Sequence, residues 1–185
     1  IISSSTLHLI PAKTIGSLVG QFAGSLTEGG TFIWDSGDLE SDFRPDNSAL
    51  LHDPYRAVRE LLRDDGGRSA RLAEMTEDEI DGHERRLDRI FPPPFSIEVV
   101  LEALKGAGFS SDISEEIVDF SNEDAERFVL VPRLAEIAAP LLQGEERDNA
   151  IKGALNSALK SIADEGKGSD EAYRSHWVYG CHKLI

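Results

Sequence analysis

Cysteine is nearly absent: Cys181 is the one thiol in 185 residues. A single thiol excludes an internal disulfide and any zinc site built on cysteines. It lies in a strand-like pattern near the end of the sequence, so it reads as an inert, half-buried thiol, and a reducing cytoplasm fits. Positive charge is also scarce, with 19 Lys and Arg against 34 Asp and Glu, a net charge of −15. Nucleic acid and anionic membranes call for a basic footprint, so neither is expected as a partner. The acidity itself asks for no explanation beyond solubility. No apolar run approaches the roughly 20 residues that cross a bilayer. No signal peptide is visible, although a chain opening in mid-strand would have lost one. The histidines lack the His-x-x-x-His spacing of a helical metal motif. His176 and His182 share one face of a strand pattern but would stand ~20 Å apart. No Gly-x-Ser-x-Gly elbow or Ser-His-Asp order suggests a hydrolase.

What is present is a globular composition, 40% apolar and 29% charged. A chain of this length can bury roughly 70% of its unfolded surface in one core, and residues 1–185 read as a single domain. Its organising stretch is Ile1 to Asp35. Ile1-Ile2-Ser3 is the tail of an apolar run, and Ser4-Ser5-Thr6-Leu7-His8 is a polar turn. From Lys13 to Leu26, Ile15, Leu18, Val19, Phe22 and Leu26 recur at helical spacing. Thr27-Glu28-Gly29-Gly30 stops that helix, since glycine takes the left-handed closing conformation. Phe32-Ile33-Trp34 is apolar on successive residues, as expected of a strand covered on both faces. The result is a βαβ unit with parallel strands and a right-handed crossover. Ligands of such sheets sit at the carboxyl ends of the strands. The clusters Ser3 to His8 and Asp35 to Asp38 should therefore share one rim.

Beyond the unit, Asp53-Pro54 starts a helix with Val58, Leu61 and Leu62 inward, and Asp64-Asp65-Gly66-Gly67 stops it. Thr76-x-x-Glu79 is a capping box; it opens a helix with Ile80, Leu87 and Ile90 inward and a charged face from His83 to Asp88. Pro92-Pro93-Pro94 is a stiff break. Ser96 caps a helix presenting Val100, Leu101 and Leu104, and Ile113 to Phe120 reads as a strand. Prolines 132 and 140 divide the helical stretch from Glu123 to Glu165, whose clearest helix runs from Glu145 to Ala163. Tyr173 to Ile185 is a last strand, with Trp177 and Tyr179 pointing one way and Val178 and Gly180 the other.

His8 is the strongest candidate for chemistry. It follows the first strand on the ligand rim, where imidazole can act as general base or hydrogen-bond donor near neutral pH. The alternative is that it caps the helix near Ala12 or bonds a loop carbonyl. Asp35 and Asp38 could orient an amine or hydroxyl, or simply form the turn. Trp34 is a candidate stacking surface, or core.

Ser3-Ser4-Ser5-Thr6-Leu7-His8-Leu9-Ile10-Pro11, with Leu26-Thr27-Glu28-Gly29-Gly30-Thr31-Phe32-Ile33-Trp34-Asp35, resembles the fourth and fifth strands of class I S-adenosylmethionine-dependent methyltransferases. Ala107-Gly108-Phe109, Ile117-Val118-Asp119-Phe120 and His176-Trp177-Val178-Tyr179-Gly180-Cys181 resemble that family's last helix, sixth strand and seventh strand. The resemblance implies an α/β fold: half of a doubly wound, mostly parallel sheet with an antiparallel last strand, carrying helical inserts at 50–91 and 123–165. It implies methyl transfer to a small-molecule O, N or C acceptor, with S-adenosylmethionine as cofactor. His8 would be the base or acceptor contact, and Ser3, Ser4, Ser5, Thr6 and Leu7 would lie near the donor. Trp34, Asp35 and Asp38 would face the acceptor. The family's Gly-x-Gly-x-Gly loop is missing from these residues, so the chain reads as the carboxyl-terminal half, a fragment. The strand at Ile1 would then have an unpaired edge, inviting a homo-oligomer or the missing amino-terminal half. A non-catalytic interaction module on the same scaffold is the competing reading.

Overall fold

The computed structural model describes residues 1–64, 75–90 and 92–185. Short polar turns and one amphipathic helix decide how the chain opens. Ile2–Ser4 forms β1, and a 3-10 turn, Leu7–Leu9, follows. Ala12–Ser25 forms α1, whose buried residues Ile15 and Val19 are one turn apart on the expected face. Gly29 closes the turn after it with φ +75°, a conformation that costs glycine little. Thr31–Ser36 then forms β2, parallel to β1, with Ile2 opposite Ile33 and Ser4 opposite Asp35.

The later elements are α2 (Asp53–Asp64), α3 (Glu77–Ile90), α4 (Glu98–Gly106) and β3 (Ile113–Ser121). These are followed by α5 (Asn122–Val129), α6 (Pro132–Ala138), α7 (Gly144–Asp164) and β4 (Ala172–Lys183). The capping box forms as read: Thr76 N donates to Glu79 Oε2 at 2.8 Å, and Glu79 N to Thr76 Oγ1 at 3.4 Å. Pro132 sits in the first turn of α6, where its missing N–H costs nothing. The stop read at Asp65-Gly66-Gly67 and the insert's end at Phe91 lie outside the described residues, as do the side chains of His83, Glu84, Leu87 and Asp88.

The sheet order is β1-β2-β4-β3. β4 is antiparallel to β2, pairing Trp34 with Gly180 and Ser36 with Val178. β3 also runs against β4: Cys181 N donates to Asp112 O, and Ser110 N to Lys183 O. Three strands therefore share one direction and the last in sequence runs oppositely between two of them. The fold is α/β, with a mostly parallel sheet and an antiparallel last strand.

The chain divides into two compact units, residues 1–45, 88–118 and 176–185, and residues 46–87 and 119–175. In the first, α1 packs against α4, and Leu7, Ile15, Val19, Phe32, Trp34, Val100 and Leu104 form the core. The second holds nearly all of the two helical stretches read as inserts. There α2 packs against α7, with Tyr55, Val58, Ile151 and Leu155 buried. Tyr55 Oη donates to Leu134 O at 3.0 Å, and burial pushes its phenol up to about 12.

Leu61 and Ile80, read as inward on their helices, are exposed, and two expectations about the sheet change. Ile33 is 44% exposed while Phe32 and Trp34 are buried, so β2 is covered on one face, not both. Strand alternation puts neighbouring apolar residues on opposite faces whatever their hydrophobicity. Cys181, in register with Ile33, is exposed on that same open face rather than half-buried.

Candidate functional site

The parallel pairing of β1 and β2 brings both of their carboxyl-end loops to one rim. Ser5, directly after β1, adopts φ +48°, a region that most non-glycine residues avoid. The turn holds it there: Ser5 N and Oγ both donate to Asp35 Oδ1, at 3.0 and 3.1 Å. Thr6 Oγ1 donates to Ser4 O at 2.7 Å. Asp35 thus stitches the two loops together on the sheet's open face.

His8 comes from the 3-10 turn and is 3% exposed. Its Nδ1 lies 2.9 Å from Ser36 Oγ, which also accepts from Asp38 N at 3.3 Å. It does not sit in solvent. Asp38, close after Ser36 in sequence, is buried, 1% exposed. The rim therefore separates into two groups, Ser5 with Asp35 on the open face and His8 with Ser36 on the covered one. Leu7 and Trp34 are buried in the core of the first unit. Ser3 and Ser4 keep hydroxyls that the turn does not use.

β4 adds a group to this rim that the sequence reading did not assign. Because β4 is antiparallel to β2, residues preceding Val178 extend past Ser36, toward the ligand rim. His176 shares the face of Val178 and Gly180 by alternation and is 1% exposed. Its Nε2 lies 2.9 Å from Glu115 Oε2, and Ser41 Oγ donates to Glu115 Oε1 at 3.0 Å. A carboxylate only accepts, so Glu115 sets the ring as the Nε2–H tautomer when neutral and leaves Nδ1 as a lone pair. That Nδ1 is buried without a hydrogen-bond partner. Alternation along β4 could have marked His176 as inward. Nothing in sequence points to Glu115, 61 residues away.

Deeper on the same face, Trp34 and His182 stack with centroids 6.0 Å apart. His182 Nδ1 donates to Ser110 O at 2.8 Å, and burial pushes its imidazole below the usual value. On the open face, Tyr179 Oη donates to Glu116, and that bond raises the phenol to about 12. Among the described residues no cluster of His, Cys, Asp and Glu could hold a metal ion, and no helix is long and apolar enough to cross a membrane.

No family model matches this chain, and no curated protein matches it. A Bacillus halodurans protein assigned as a methyltransferase superposes with a TM-score of 0.49 at 14% identity, covering 99% of this chain and 62% of its own. A cyclopropane synthase of Mycobacterium tuberculosis superposes with a TM-score of 0.43 at 15% identity, covering 99% of this chain and 54% of its own. The chain thus spans less than two thirds of either structure.

Proposed function

We propose that this chain is part of a class I S-adenosylmethionine-dependent methyltransferase acting on a small-molecule O, N or C acceptor. One observation carries the reading: parallel β1 and β2 deliver His8, Ser36 and Asp38 to the carboxyl-end rim, where α/β sheets hold their ligands. S-adenosylmethionine, when bound, supplies an electrophilic methyl group on a sulfonium sulfur. The residues here do not fit that molecule by themselves. The hydroxyls of Ser5 and Thr6 are spent within the turn, and Leu7 is core. Only Ser3 and Ser4 remain, and among the described residues no glycine loop follows a strand and opens a helix. The donor-holding part of the site therefore belongs to polypeptide outside these residues. His8, clamped by Ser36, is the base or hydrogen-bonding contact for the acceptor, and Asp38 shapes its surroundings, whereas Asp35 holds the Ser5 turn on the opposite face.

Equilibrium dialysis of radiolabelled S-adenosylmethionine tests this, using the 185-residue chain and the product of its reading frame extended upstream of Ile1. No retention by the short chain at micromolar donor and clear retention by the long one is the expected result. Retention by neither, with no Gly-x-Gly-x-Gly loop upstream, would leave the second reading, a non-catalytic interaction module. The missing loop is what favours that reading. The outer edge of β1, flanked by exposed Ile1 and Ile2, is where a second copy or the amino-terminal half would add a strand.

A further inference from the structure

The methyl-transfer reading leaves one buried group of the rim without a task. His8 is engaged with Ser36, whereas His176 is held from one side only. Glu115 grips its Nε2, Ser41 holds the far oxygen of Glu115, and Nδ1 has no partner. A carboxylate–imidazole pair backed by a hydroxyl orients a ring so that its second nitrogen presents a lone pair in a fixed direction. A buried polar atom left unpaired is costly. For the neutral ring, with Nε2–H on Glu115, its natural complement is a hydrogen-bond donor.

We propose that His176 Nδ1 is the position that receives the hydroxyl or amine hydrogen of the small-molecule acceptor, with Glu115 and Ser41 as positioning residues. The proposal rests on the methyl-transfer reading for the identity of the ligand, but not for the chemistry of the subsite. Three features support it. The ring is at the carboxyl end of β2, on the same face as Ser36. The positioning chain Ser41–Glu115–His176 is complete. Finally, Glu115 is 19% exposed by its side chain, so the positioning carboxylate reaches solvent while the ring it holds is shielded. Such shielding strengthens a single hydrogen bond relative to the same bond in water.

Long-range proton–nitrogen spectra of the imidazoles in the 185-residue chain test it, with phenol as the donor probe and anisole as its counterpart lacking the hydroxyl hydrogen. His176 is expected as the Nε2–H tautomer, with an unprotonated Nδ1 whose resonance moves saturably with phenol and not with anisole. His182, whose Nε2 is likewise buried without a partner but which lies six residues further along β4, tests whether the position matters, and its resonances should not move. Glu115→Gln should weaken phenol binding about tenfold, the loss of one charge-assisted hydrogen bond. Equal responses to phenol and anisole, no response to phenol, or a protonated Nδ1 with water alone beside it would each overturn the proposal. Phenol recognition combined with no donor retention by the extended chain would keep the subsite and remove the methyltransferase reading. The reverse pair of results would do the opposite.

Discussion

The two faces of the sheet in the first unit are made from the same strands, residue by residue in alternation, and they differ in nearly everything else. One face carries Phe32, Trp34, Val178 and His182, all at most 1% exposed. The other carries Ile2, Ile33, Tyr179 and Cys181, all exposed. The contrast teaches that side-chain chemistry alone does not assign a face. Isoleucine 33 stands between two buried aromatics and is half in water. The covered face also holds the buried polar groups, His8, His176 and His182, so burial and chemistry coincide there.

Substitution of adjacent residues tests the contrast most severely. Phe32→Ala should cost about 4 kcal/mol, through lost burial and the cavity left behind. Ile33→Ala, one residue along, should cost about 1 kcal/mol or less. Urea unfolding of the two variants measures both, and comparable losses would show that the open face is covered in solution.

A smaller effect comes from Gly180, whose added Cβ would meet Trp34 Nε1 at 2.2 Å and His182 Nε2 at 2.6 Å. Gly180→Ala should cost about 2–3 kcal/mol by overpacking, a drop of roughly 4–12 °C in melting temperature for a chain of this size. Its neighbour on the opposite face sharpens the point. Cys181→Ser should change stability by no more than ~0.5 kcal/mol, and the native Cys181 should react with a thiol reagent without denaturant.

The smallest expected effect is on pH. Burial lowers the folded pKa of His182 below its unfolded value near ~6.5. The neutral ring is then favoured by folding, and its contribution is intact above that unfolded value. As pH falls below it, the unfolded chain takes up a proton that the folded chain resists, and stability declines. Urea midpoints at decreasing pH should show this slope, and His182→Gln should flatten it. An unchanged slope in that variant would place the sensitivity elsewhere.

Much of this architecture was legible beforehand. Helical spacing of Ile15 and Val19, the glycine stop at 29 and the Thr76–Glu79 box are local patterns with local causes, and each appears within a residue or two. His8 and the Asp35 to Asp38 cluster read as rim residues because the position after a parallel strand is dictated by connectivity. The pairing of His8 with Ser36 does not follow from sequence, and neither does the Glu115–His176 pair. Glu115 looks like any strand carboxylate until β4 is laid against β3.

The sequence by itself determined the βαβ opening, the helix starts and stops and the rim on which a ligand would lie, because these follow from periodicity, capping and chain direction over a few residues. Tertiary structure alone decided which sheet face is covered, that the final strand lies between β2 and β3, and that His176 meets Glu115. Those outcomes depend on pairing between segments far apart in the chain, and a strand's hydrogen-bonding edge carries no label for its partner.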